Sequence, residues 1–313
     1  MKQSNFYLKV KKEHSFEDFD LDQLKNHEIA DVFSAYISNM EEVISVVRSS
    51  FKLTLHGQIL ESANRLHDRN LMLAYADGLE HGYSEDKHRI NNEASLKTKS
   101  AIENEELGDD LIEKTISILE QFANDPVISG SNLATLRQSV VIVWSATESL
   151  IRDAIKVTLN SDLEKAISFF ESPDTSPYWN KKQISFEHLK SHDFHLYDKL
   201  GDIALDINPC SNLSAMLAAY SNIFGRDVNS TQKLRSSGFY QLYKLRNVIA
   251  HRNGIVDEKY KSETSCKEDI GERVRVLPDD FSECFLQSKS FAESLLLELS
   301  NKNGLGTRTS PQP

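Results

Sequence analysis

Cysteine is scarce in this 313-residue chain: Cys210, Cys266 and Cys284 are the only three, and none shares a C-x-x-C spacing with another. An odd, scattered set argues against a disulfide-stapled fold and fits a reducing, cytoplasmic setting. Glycine and proline are also sparse, at twelve and seven, which argues against a disordered or fibrous chain. No apolar run approaches the roughly 18 residues that would span a membrane. The stretch Met1–Val10 lacks the apolar core of a signal peptide. Glycine-rich phosphate loops, G-x-S-x-G and Walker sequences are missing too, so neither ATP-driven nor serine-hydrolase chemistry is expected, and no cofactor is called for. Positive charge is in deficit: the formal balance of −11 argues against a protein that coats nucleic acid non-specifically. Any polyanion would need a local basic patch.

What is present is helical periodicity. Between about residues 28 and 66, Ile29, Phe33, Tyr36, Met40, Val43, Val47 and Phe51 recur in near-heptad steps, with a break expected near Gly57. Residues 81–110 are polar and read as a loop or a weakly packed helix. A second amphipathic helix follows at Leu111, Thr115, Ile118 and Phe122. The breakers Asn124-Asp125-Pro126 and Ser129-Gly130-Ser131 then suggest a domain boundary, dividing 1–125 from 126–304, with 305–313 as a disordered tail. From Leu133 to Leu159 the apolar face is broad enough to need several partner helices. Helices are also expected near 163–170, over 211–224 and over 230–252. The last helix should follow Pro278, with Asp279 or Asp280 as N-cap. Arg273-Val274-Arg275-Val276-Leu277 is the one convincing strand-like alternation. The expected class is all-α: a helical N-terminal domain followed by a helical bundle.

The chemistry concentrates in Leu245-Arg246-Asn247-Val248-Ile249-Ala250-His251-Arg252-Asn253-Gly254. On a helix Asn247 and His251 share a face, Arg246 lies about 140° from His251, and Asn253-Gly254 is a natural stop. Histidine can take or give a proton near neutral pH, and arginine stays charged and forks onto a phosphate. Asn247 could orient either one. Between Arg226 and Lys261 eight Lys and Arg face only Asp227, Asp257 and Glu258, a local excess of +5. This basic island makes Lys244, Arg252 and Arg235 candidate RNA contacts beside Arg246, Asn247 and His251. The bland alternative is a helix C-cap histidine beside a surface ion pair.

The phrase from Arg246 to Asp257 resembles the signature of the HEPN superfamily, in particular its RiboL-PSP-HEPN branch. Val140–Asp153, with Glu148 followed by Arg152-Asp153, is similar to that branch's first long helix. The resemblance covers roughly residues 126–300; the first 125 residues lie outside it. It implies an antiparallel HEPN-like bundle that forms a homodimer, and a metal-independent endoribonuclease of the kind found in phage defence or toxin systems. Arg246, Asn247 and His251 would then be catalytic, with Glu148 a supporting acid; an i,i+4 pair of Glu148 with Arg152 is the simpler alternative. Some HEPN domains bind RNA or a partner protein without cutting. The N-terminal region would supply a regulatory or dimerisation contact.

Two other constellations stand beside this one. His188, His192 and His195 are spaced to share a helix face and could hold Zn²⁺ or Ni²⁺, though a polar helix face is the simpler explanation. Tyr178, Trp179, Lys181 and Lys182 mix aromatic and basic residues in a Pro-bearing loop, which would suit single-stranded RNA or a loop anchored on the core.

Overall fold

The computed structural model describes residues 12–103, 105–122, 125–179, 186–191, 196–210, 212–264 and 266–301. Among these the chain is all-α, with thirteen α-helices and no named strand. They are α1 (His27–Val47), α2 (Ser49–His81), α3 (Lys87–Ile102), α4 (Glu105–Phe122), α5 (Pro126–Ser161), α6 (Leu163–Glu171) and α7 (Phe186–Ser191). After them come α8 (Leu200–Ile207), α9 (Leu213–Phe224), α10 (Asn229–Leu234), α11 (Ser237–Arg252), α12 (Glu258–Glu263) and α13 (Pro278–Asn301). None of the described helices is long and apolar enough to cross a membrane.

The chain divides into two compact units that are not consecutive in sequence. One is built from Ser45–Ala134; the other joins the described parts of Val10–Ile44 to those of Thr135–Pro313. Along α5 the change falls at residues 134 and 135, inside the helix rather than at the breakers before it.

In the first unit α2 packs along α3 and α4. The polar stretch read as a loop or weak helix is helical. Asp86 caps α3 by accepting from the Arg89 N–H at 3.0 Å, and small buried residues, Ala74 on α2 and Ala94 on α3, let the helices approach. The long helix expected over 28–66 breaks at Arg48, not near Gly57, which has open space around it within α2.

The second unit holds most of the core. The near-heptad stripe of α1 is buried at Ile29, Phe33, Tyr36, Met40 and Val43. On α5, Val140, Val143, Trp144, Leu150, Ile151 and Ile155 are buried; on α13, so are Phe281, Phe285, Phe291 and Leu295. A polar cluster pins these helices in register. Tyr36 Oη and Ser288 Oγ lie 2.8 Å apart, and Thr147 Oγ1 lies 2.5 Å from the same Ser288 hydroxyl. Buried hydroxyls left unpaired would cost more than the bonds return, so this cluster selects one packing over others. The arm before α1 lies on α13: His14 Nε2 is 2.8 Å from Ser282 Oγ, and the Lys289 ammonium donates to the Glu13 carbonyl at 3.0 Å.

Four expected elements differ in detail. Helix α5 begins at Pro126, because the Asp125 carboxylate accepts from the Val127 and Ile128 N–H groups and proline suits the first helical position. The single helix expected over 230–252 is two, α10 and α11, parted where Ser236 caps α11. In α13 Pro278 is the first helical residue, so the two aspartates sit in the first turn rather than at the cap. The Asp280 carboxylate still accepts from the Leu277 N–H at 2.9 Å. The 273–277 alternation is real in burial, with Val274 and Val276 inside, but it forms a single bridge between Ile255 and Arg273 rather than a strand.

Candidate functional site

Helix α11 turns Phe239, Leu242, Val248 and Ile249 inward, which leaves Tyr243, Asn247 and His251 on a flank towards solvent. Its end is built from two successive left-handed residues, Asn253 (φ 52°) and Gly254 (φ 76°), and the Gly254 N–H donates to the Val248 carbonyl at 2.9 Å. A Cβ at Gly254 would meet the Arg273 and Val274 side chains at ordinary contact distances of 3.4 and 3.5 Å, so it is the left-handed backbone that calls for glycine there. Beyond it, Val256 donates to Glu272, and the Gly254 carbonyl accepts from Val274 at 2.8 Å. Asp257 then caps α12 by accepting from the Tyr260 N–H at 2.7 Å. The loop after His251 is thereby stapled in place.

This hairpin of α11 and α12 encloses an open cavity of about 260 Å³ whose wall includes Arg246, Asn247 and His251 together. Lys244, Arg252 and Lys259 line it as well, against Asp257 and Glu263. His251 is exposed and makes no hydrogen bond or ion pair among the described residues. Arg246 is half-buried. Its Nη1 donates to the Asn247 Oδ1 at 2.9 Å, and its Nη2 lies 3.6 Å from a carboxylate oxygen of Glu148. Glu148, on α5, is itself held by the Trp144 indole N–H at 2.8 Å. It therefore faces Trp144 and Arg246, not Arg152.

Lys244 and Arg252 are engaged as well. Lys244 meets Glu263 at 2.6 Å and stands 5.1 Å from the Tyr240 ring centre. Burial works against its charge, but the bonds to Glu263 and Tyr240 outweigh it and raise the ammonium above its ordinary range. Arg252 lies 3.4 Å from Asp257. The basic excess visible in the sequence is thus partly balanced by Glu148 and Glu263, both of which fall outside the window that displays it.

Arg235 is not brought to this cavity. It sits at the C-terminus of α10, donates to Ser221 Oγ at 3.0 Å, and lines a separate cavity of about 490 Å³ with Arg226, Tyr178 and Asn222. Trp179 is buried, packs 5.0 Å from the Phe169 ring and donates to the Ala204 carbonyl at 2.8 Å, so it anchors its loop on the core; Tyr178 beside it stays half-buried. Lys181, Lys182, His192 and His195 lie outside the described residues, as does the side chain of His188. Tyr243, which lines the first cavity, was not singled out from sequence; its spacing of four from Asn247 and eight from His251 would have found it.

No protein-family model, curated protein or solved structure matches this chain.

Proposed function

We propose that this chain is a metal-independent endoribonuclease of HEPN type acting through Arg246, Asn247 and His251. One observation carries the proposal: a single open cavity has all three side chains in its wall, with Lys244, Arg252 and Lys259 around them. In the proposed reaction the ribose 2′ oxygen attacks the adjacent phosphorus, and the bond from phosphorus to the 5′ oxygen breaks. The products are a 2′,3′-cyclic phosphate and a 5′-hydroxyl. One proton leaves the 2′-hydroxyl and one reaches the 5′ oxygen; the exposed His251 imidazole handles one of these transfers. The Arg246 guanidinium meets the charge that gathers on the non-bridging oxygens, where a preorganised cation is worth most. Asn247 presents Arg246 through their 2.9 Å bond. The Glu148 carboxylate, at 3.6 Å, steers the guanidinium at a distance longer than a direct hydrogen bond. Two copies meeting as a homodimer would double the cationic surface, in keeping with the HEPN resemblance.

A second reading is a module that binds RNA or a partner protein without cutting. It is favoured by the acids already standing at 2.6 to 3.6 Å from Lys244, Arg252 and Arg246. The test is to incubate wild type and His251→Ala with end-labelled tRNA and mRNA in excess EDTA and to read the fragment ends. Cleavage by wild type alone, leaving cyclic phosphates, is the expected result. Equal cleavage by His251→Ala refutes the assignment, and RNA binding without cleavage by wild type establishes the second reading.

A further inference from the structure

We infer that Tyr243 is a base-stacking subsite, which receives an unpaired nucleobase of single-stranded RNA next to the Arg246–Asn247–His251 cavity. The placement comes from one helix. Tyr243, Asn247 and His251 follow one another at intervals of four along α11, so each is about 6 Å further along the axis than the last. Tyr240 stands one turn earlier on the same flank. A strand whose phosphate lies at Asn247 and His251 therefore has its neighbouring nucleotide beside Tyr243.

The ring is built to act as a platform. One side of it rests on the Trp144 indole, with centroids 5.1 Å apart and planes tilted by 55°. Trp144 is itself only 1% exposed and packs on Phe239, so Tyr243 is backed by the rigid core of the unit. The remainder of the ring is left half-buried and forms part of the cavity wall. Its hydroxyl makes no hydrogen bond among the described residues, which leaves a donor and acceptor free at the edge of the platform. The Lys244 ammonium, held by Glu263, lies over the same ring 6.0 Å from its centre and keeps positive charge beside it. An ordered aromatic face with a cation close by is the arrangement that holds unpaired bases irrespective of their identity, because every base has a flat π-face. A double-stranded substrate cannot use it, since its bases are occupied by their own stack. The predicted substrate class is an unpaired segment, such as a loop or a single-stranded end.

The inference rests on the nuclease reading for its RNA, but its test does not need cleavage. A fluorescein-labelled, fully 2′-O-methylated oligoribonucleotide, which lacks the attacking hydroxyl, is titrated with the full-length chain and compared with the same strand carrying abasic positions. Wild type should bind the base-bearing strand roughly 5- to 150-fold more tightly, the range for stacking one base on one aromatic ring. Tyr243→Phe keeps the face and should keep that preference. Tyr243→Leu, of similar bulk but without a π-face, should lose it; a thermal melt on the same sample confirms that the variant is folded. Equal binding of the two strands by wild type, or an undiminished preference in folded Tyr243→Leu, overturns the subsite. So does a wild type that binds neither strand. Discrimination by wild type with no cleavage of ordinary RNA upholds the subsite while removing the nuclease reading.

Discussion

Replacing Gly201 by alanine should be among the most damaging single-methyl changes available in the second unit. Gly201 lies in the first turn of α8, which lies against α5 so closely that a Cβ there would fall 2.1 Å from the Lys156 carbonyl oxygen and 2.8 Å from its carbon and Cα. These are backbone atoms of a continuous helix and cannot rotate away. The helices must instead part by about 1 Å, an overpacking strain of roughly 1–3 kcal/mol. Parting also stretches the contacts that fasten α8. The Gly201 N–H donates to Asn160 Oδ1 at 2.7 Å, and Asn160 Nδ2 donates to the Asp202 carboxylate at 2.7 Å. A neutral bond of the first kind contributes about 0.5–1.5 kcal/mol and a charge-assisted one of the second about 1.5–3 kcal/mol. The total, about 3–7 kcal/mol, is a large share of the 5–15 kcal/mol typical of a folded domain. The assay is a thermal melt followed by far-ultraviolet circular dichroism, with Gly130→Ala as companion. Gly130 lies in α5 with nothing within 4 Å of its missing Cβ, so the same chemical change there should stabilise by roughly 0.5–1 kcal/mol. For domains of this size Gly201→Ala should lower Tm by at least about 6 °C. A Gly201→Ala protein that melts within about 2 °C of wild type would refute the close-approach reasoning.

Two further predictions concern neighbouring features. Trp144→Phe removes the indole donor from Glu148 and thins the backing of Tyr243, and should cost about 1–3 kcal/mol in urea unfolding while weakening single-stranded RNA cleavage; unchanged values in both would remove the Trp144–Glu148–Arg246 chain from consideration. Although burial raises the Asp202 carboxyl, bonds from Asn160 and Lys156 more than offset it and hold it below the ordinary aspartate value. The stability this pairing provides is present above the unfolded value of about 3.9 and lost as pH falls through the lower folded one. Melts between about pH 6 and 2 should therefore show a shallower acid limb in Asp202→Asn than in wild type, and identical limbs would count against the pairing.

The helical class was legible because periodicity is a local property: the α1 stripe from Ile29 to Val43 is buried where its near-heptad spacing said it would be. Element ends were less legible. Ser129-Gly130-Ser131 reads as a break, yet it lies inside α5, because one glycine costs a helix only about 1 kcal/mol and the Asp125 cap with the long buried face beyond it outweighs that. The parting of α10 from α11 rests on the local Ser236 cap, but the start of α10 depends on a partner remote in sequence: the Glu298 carboxylate on α13 accepts from both the N–H and the hydroxyl of Ser230, and no local pattern announces that. At the candidate site the spacing placed Asn247 and His251 on one face and left Arg246 about 140° away, yet all three line one cavity. What spacing could not supply was the neutralising company of Glu148 and Glu263, or the displacement of Arg235 to another cavity, since charge counted along a window ignores charge that arrives from elsewhere in the fold.

The arm that packs on α13 sets an order on synthesis. His14 finds Ser282 across 268 residues, and Tyr36 finds Ser288 across 252. At about 5–20 residues per second, a nascent chain displays the apolar stripe of α1 for roughly 10–50 s before its cover leaves the ribosome. The described residues of the first unit all fall within Ser45–Ala134, a short span that can close during that wait. The same closure explains why a fragment beginning near residue 126 is a poor surrogate for the second unit. It would leave α13 without Tyr36, His14 and the Glu13 carbonyl, so a loss of activity in it would report a missing wall rather than a missing regulator.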